Sequence, residues 1–122
     1  MEERPHVLLV SADEGVRAQL RLTLGDDRFD LVEVPDIRSA STAVADRPPA
    51  LVVLDGDVPD GSADDFVTTL RAQPETADMR TLLLVPRSGS GDGPGESVDA
   101  SISMPATSFA LLRRIEGLLA ST

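Results

Sequence analysis

Two short stretches place carboxylates where a fold could use them. In "LVVLDGDVPDG" (51–61), four apolar residues run into Asp55, and a second carboxylate, Asp57, follows two positions later. In "SADE" (11–14), Asp13 and Glu14 come just after the apolar run "HVLLV". A carboxylate at the end of a buried strand is either a reactive group or only the polar residue that ends it. With Asp57 and Asp13 near it, Asp55 would make a weak cation site. As a structural residue it would accept hydrogen bonds from nearby backbone N–H groups.

Other candidate chemistry is excluded. His6 is the only histidine and there is no Cys, so disulfides, thiolate sites and ordinary zinc sites are not expected. His6 reads as an exposed residue starting the first strand, at the amino end of the sheet. There it cannot form a Ser-His-Asp triad with Ser11, Ser88 or Ser90. Asp57, Asp60, Asp64 and Asp65 do not follow the D-x-D-x-D-G spacing of a Ca²⁺ loop. Asp64 and Asp65 suit the first turn of a helix, where the macrodipole favours negative charge.

The 122 residues are the length of a single domain, assigned here to 1–122. Phe29, Phe66 and Phe109 are the only aromatic residues, so Leu, Val and Ala must fill the interior. A net charge of −10 disfavours direct binding to nucleic acid or to an anionic membrane. Every basic residue is Arg; the chain has no Lys. No apolar run approaches the ~20 residues needed to cross a bilayer. The "MEERPH" start has no basic-then-apolar signal pattern, so a soluble, cytoplasmic protein is expected.

These carboxylates must be positioned by a sheet. "HVLLV" (6–10), "LVVL" (51–54) and "TLLLV" (81–85) are continuous apolar runs, as strands buried on both faces are. "DLVEV" (30–34) and "ASISM" (100–104) alternate, as edge strands do. Helices are predicted between them from Val16, Leu20 and Leu24; from Ile37, Ala40 and Val44; and from Phe66 and Leu70. A last helix carries Phe109, Leu112, Ile115 and Leu119. Asp36 should cap the second helix, and Thr107 or Ser108 the last. Such β-α alternation gives a parallel sheet with helices on both faces and right-handed crossovers. Residues 86–99, "PRSGSGDGPGESVD", contain four Gly and two Pro and read as a flexible loop. Their glycines match no phosphate-binding fingerprint.

In an open doubly wound sheet, function gathers outside the carboxyl ends of the strands. Those ends carry Ser11-Ala12-Asp13-Glu14, Asp55-Gly56-Asp57 and Val85-Pro86. From "HVLLV" to "LLRRIEGLL" the chain resembles a response-regulator receiver domain of two-component signalling. "PALVVLDGDVPDG" and "SMPATSFALLRRIEGLL" are the best-matching pieces. The resemblance implies a CheY-like, flavodoxin-like fold of five parallel strands in the order 2-1-3-4-5. The family's fourth helix would be shortened, or replaced by the Gly-rich loop. It also implies that Asp55 is the phospho-acceptor position, with Pro59 four residues on, and that Met104-Pro105 is a cis bond.

The departures from that family bear on function. Its acidic pair, which holds Mg²⁺, falls on Ser11 and Ala12; Mg²⁺ is expected only if Asp13 or Glu14 completes the site. The preferred reading of S-A-D-E is a capping box, with Ser11 as N-cap and Glu14 reaching back. The family's Lys falls on Met104, with Arg87 the nearest cation that could replace it. Its phosphoryl-sensing hydroxyl falls on Val85 and its switch aromatic on Ser101.

The expected protein is therefore an atypical receiver, a regulatory module rather than an enzyme. It would act by contact with a protein partner or attached effector, a histidine kinase among the candidates, with little phosphorylation at Asp55. A homodimer stays open, as does an output domain beyond the last helix. Contacts should use the fifth strand and last helix, or the first helix. A rival expectation is a small ligand or nucleotide in a pocket formed by Ser11, Ala12, Asp13, Asp55, Asp57, Val85, Met104 and Pro105. An ordinary Mg²⁺-dependent phospho-switch is the third.

Overall fold

The computed structural model describes residues 4–24, 28–86 and 98–120. Strands β1 (His6–Val10), β2 (Asp30–Val34), β3 (Leu51–Asp55), β4 (Arg80–Val85) and β5 (Ala100–Ser103) pair in parallel in the order β2-β1-β3-β4-β5. Helices α1 (Glu14–Leu24), α2 (Ile37–Asp46), α3 (Ala63–Arg71) and α4 (Ser108–Ala120) complete the described elements. None of them is long and apolar enough to cross a membrane.

The continuous apolar runs are explained by burial on both faces of the sheet. Successive side chains of a strand point to opposite faces. Val7, Leu9, Leu51, Val53, Leu82 and Leu84 pack with Leu20, Leu24, Leu111 and Ile115 of α1 and α4. Leu8, Val10, Val52, Leu54 and Leu83 pack with Ala40, Val44, Phe66, Val67 and Leu70 of α2 and α3. Strand β2 lies at an edge and is only half-buried, which is why it tolerates Asp30 and Glu33. Arg21 grips both Glu33 oxygens at 2.8 Å.

The helix starts follow capping chemistry. Asp36 accepts the Ser39 N–H, as its position predicts, and Thr107 accepts the Ala110 N–H. Ser62 caps α3, and Asp64 and Asp65 occupy its first turn. Asp60 reaches instead to α2, where its two oxygens accept the Ile37 and Arg38 N–H groups at 2.8 and 3.0 Å. Those two donors hold its carboxyl below the usual carboxylate range.

Two expectations need correction. His6 is buried, not exposed, because β2 and β3 flank it; its Nδ1 lies 3.3 Å from the Asp30 carbonyl oxygen. Phe109 is 71% exposed, whereas Leu111 and Ile115 are fully buried. Of the predicted stripe, Leu112, Ile115 and Leu119 pack against the core and Phe109 does not; Leu111 takes the buried place instead. The Met104-Pro105 peptide is cis, as expected. Of the segment read as a Gly-rich loop, 87–97 lie outside the described residues; Pro86, Val98 and Asp99 are not helical.

Asp99 anchors the entry to β5. One of its oxygens accepts from the Thr81 N–H at 2.8 Å and from the Arg71 guanidinium at 2.7 Å. Its own N–H donates to Thr81 Oγ1. Arg71 also caps the Ala77 and Met79 carbonyls, tying the end of α3 to β4 and β5. Burial pushes the Asp99 carboxyl up, but the Thr81 and Arg71 donors outweigh it and hold the group below its ordinary value of 3.8. A depressed pKa contributes stability above the unfolded-state value and loses it as pH falls through the folded one. Wild-type stability should therefore drop as the pH is lowered past 3.8. In Asp99→Asn the drop over that range should be smaller, measured by urea unfolding at each pH.

Candidate functional site

The carboxyl ends of β1 and β3 lie side by side because their strands are neighbours, with Val10 opposite Leu54. Each strand thus delivers its first polar residue to the same place. Ser11 is fully buried and Asp55 is 8% exposed. The Ser11 hydroxyl donates to Asp55 Oδ2 at 2.8 Å, and the Asp57 N–H donates to Oδ1 at 3.0 Å. Both oxygens of the one buried carboxylate in this region are therefore served from within the protein. Such donors compensate the desolvation that burial imposes on a charged group.

Ser11 is also held by its backbone, whose N–H donates to the Val34 carbonyl. Its hydroxyl oxygen accepts the Asp13 N–H at 3.1 Å. Asp13, not Ser11, caps α1: its Oδ1 accepts from Gly15 at 2.8 Å and Val16 at 3.4 Å. The capping-box reading, with Ser11 as N-cap, thus set the start of α1 two residues too early and assigned the cap to the wrong residue. Ser11 is drawn away by its tertiary bond to Asp55. Nor does Glu14 reach back, since it pairs with Arg17 and Arg21 on the outer surface.

Above Asp55 opens a cavity of about 660 Å³. Ala12, Asp13, Asp55, Asp57, Met104 and Pro105 line it as expected, together with Gly15, Val16, Gln19, Leu84 and Pro86. Two predicted lining residues are elsewhere. Ser11 lies below the surface, and Val85 turns toward the α2/α3 core. Leu84 and Pro86 stand in for Val85. Sequence reasoning missed them because it assigned the wrong face of β4 to the strand end. Gln19 was missed as a helix-surface residue, yet its amide donates to the Ala106 carbonyl and braces the turn after Pro105.

Gly56 lets the strand ends approach this closely. Its N–H donates to the Leu84 carbonyl at 3.0 Å. A Cβ at Gly56 would lie 2.9 Å from Pro86 Cδ and 3.2 Å from the Leu84 oxygen. Any larger residue would push β3's exit away from β4.

Mg²⁺ wants near-octahedral oxygen ligands, and the acidic side chains beside Asp55 are placed as follows. Asp13 is committed to its helix, Glu14 faces away, and Asp57 is exposed. Among the described residues, no three acidic or histidine side chains converge to hold a metal ion. Arg87, Ser88 and Ser90 lie outside the described residues. Ser101 occupies β5, where its carbonyl accepts the Arg114 guanidinium at 2.7 Å.

No protein-family model matches the chain. It is 27% identical over 116 residues to the phosphate regulon transcriptional regulatory protein PhoB of Escherichia coli K12, a match covering 93% of this chain and 51% of that protein. PhoB of Klebsiella pneumoniae matches equally. The chain spans about half the length of the curated relatives it matches. Among solved structures, the chemotaxis response regulator CheY4 of Vibrio cholerae aligns with a TM-score of 0.85 at 18% identity, covering 95% of this chain and 99% of that one. The receiver domain of a signal transduction histidine kinase from Syntrophus aciditrophicus aligns at 0.82 and 17% identity, covering 97% and 92%. A CheY-like receiver domain from Methylobacillus flagellatus aligns at 0.81 and 19%, covering 95% and 99%. The chain has the CheY-like receiver fold, and Asp55 sits at the end of its third strand.

Ser11→Ala should remove the hydroxyl donor from a buried carboxylate and cost about 1–3 kcal/mol in urea unfolding. In an Asp55→Ala background the same change should cost much less, so a double-mutant cycle reads the coupling.

Proposed function

We propose that this chain is a receiver-like regulatory domain of two-component or phosphorelay signalling that works by protein contact, with little or no Mg²⁺-dependent phosphorylation at Asp55. One observation carries the reading: the Ser11 hydroxyl and the Asp57 N–H each donate to one of the two Asp55 oxygens, and among the described residues no three acidic or histidine side chains converge there. Phosphoryl transfer to a carboxylate needs its charge neutralised by a cation, and the side chains around Asp55 favour hydrogen bonding over cation binding. On this reading the domain has no catalytic residue and needs no cofactor.

Its targets are a protein partner, a histidine kinase included, or an attached effector. PhoB is a transcriptional regulatory protein of which this chain matches half, which supports an effector domain as the controlled element. The net charge of −10 argues that this domain itself does not hold nucleic acid. A cytoplasmic location goes with this role.

An NMR titration with Mg²⁺ and then beryllofluoride, a phosphoryl mimic, tests the reading against an Asp55→Asn control. Wild type and control are expected to respond alike at millimolar Mg²⁺. Shifts centred on Asp55 that vanish in the control would sink the proposal and restore the phospho-switch. The cavity over Asp55, with its apolar wall of Val16, Leu84, Met104 and Pro105, favours a second reading as a small-ligand site. A thermal-shift screen addresses it, because a ligand that binds only the folded state raises Tm.

A further inference from the structure

We infer that the hollow between α2 and α3 binds a small organic cation, an ammonium or amidinium group carried on an apolar body. This goes beyond the contact reading above and does not depend on it. The hollow measures about 450 Å³, within the roughly 300–1,000 Å³ of small-molecule sites. Val44, Phe66 and Leu70 line it as buried residues, and Gln73 and Glu75 as exposed ones. It therefore has an apolar floor and a polar rim. It lies toward the amino end of the sheet, where α2 leads into β3 and α3 into β4, away from Asp55.

Charge specifies the occupant. Glu75 is the only charged residue lining the hollow, on a chain whose net charge is −10. Both helices also end beside it, α2 at Asp46 and α3 at Arg71, with Ala45 and Leu70 among the lining residues. A helix presents the negative end of its dipole at its carboxyl terminus. Basic side chains commonly answer that charge, and here they are directed elsewhere. Helix α2 has none in its last turn, Arg47 pairs with Asp30 at 2.8 Å, and Arg71 pairs with Asp99 at 2.7 Å. A carboxylate or phosphate would enter this negative field at a cost, whereas a cation is complementary to it.

The floor supplies the other half of the recognition. Phe66 is its aromatic member, and a cation held over an aromatic ring gains a further attraction. Thr76 also lines the hollow and is buried, but its hydroxyl donates to the Leu70 carbonyl at 2.6 Å. The polar handle for a ligand is therefore at the rim, in Gln73 and Glu75. Three buried floor side chains suit one compact body. A docked helix would need anchors repeated over successive turns.

NMR titration of the full chain with phenethylammonium, 2-phenylethanol and 3-phenylpropanoate tests the inference, because the three share a phenethyl body and differ in charge. Phenethylammonium should give saturable shifts at Val44, Phe66, Leu70 and Glu75. The alcohol should bind more weakly and the carboxylate not at all. Glu75→Gln should weaken the cation about two- to fivefold and leave the alcohol unchanged. Added salt should weaken the cation alone. Ala45→Leu, which puts bulk at the edge of the hollow, should abolish binding of both. Ala45 and Glu75 are exposed, so both variants keep the core, and a Tm near that of wild type checks this. If Ala45→Leu lowers Tm, Glu75→Gln decides.

Carboxylate binding equal to that of the cation, cation shifts indifferent to Glu75→Gln, or no saturable shift at the hollow would overturn the inference. So would shifts centred on Ala12, Asp57 and Met104, because they would place the cation in the cavity over Asp55. The Mg²⁺ and beryllofluoride titration is read at that other cavity. A response there sinks the contact reading and leaves this site standing; a silent hollow with a silent Asp55 sinks only this inference.

Discussion

Burial of β1, β3 and β4 on both faces governs the rest of this structure. A strand enclosed by helices on two sides is apolar along its middle and carries its polar side chains at its ends. All strands run in parallel, so they leave at the same edge. Ser11 and Asp55 are the first polar side chains after Val10 and Leu54, and they meet because their strands are adjacent. The constraint is one of packing, and the polar cluster is its by-product. A buried carboxylate at this position then has to find donors, and the hydroxyl and one backbone N–H supply them.

The same pairing limits what the strand ends can do. A site for a hard cation such as Mg²⁺ uses one or two carboxylates, with waters completing the oxygen ligands. Here Asp13 stabilises the start of α1, Asp60 stabilises the start of α2, and Glu14 pairs with arginines on the helix surface. The acidic residues near the site are mostly engaged in holding helices in place. Asp55 itself is a buried carboxylate with a donor on each oxygen, lying beneath a partly apolar hollow.

Much of the architecture was legible because it rests on local rules. The apolar runs marked the three central strands, alternation marked β2 and β5, and Asp36 and Thr107 capped the helices they preceded. The errors arose where a distant contact decided between local options. Ser11 and Asp13 are both good N-caps, and only the bond across to Asp55 assigns the role to Asp13. In α4, Leu112, Ile115 and Leu119 of the predicted stripe do pack inward, but at its start the packing against β4 and α1 takes Leu111 and leaves Phe109 outside. His6 is buried by two strands that enter far later in the chain. The pocket wall of Leu84 and Pro86 followed from strand register, which the sequence of β4 alone does not specify.

Asp60 also determines how the molecule can come apart. Its carboxylate links the loop after β3 to the first turn of α2, so the α2–β3 unit is closed at its far end as well as through the chain. A segment fastened at both ends cannot fray from one side; it opens as a whole or stays shut. Slow amide exchange across α2, β3 and the following loop should then share a single opening free energy, which makes this half of the domain one cooperative block.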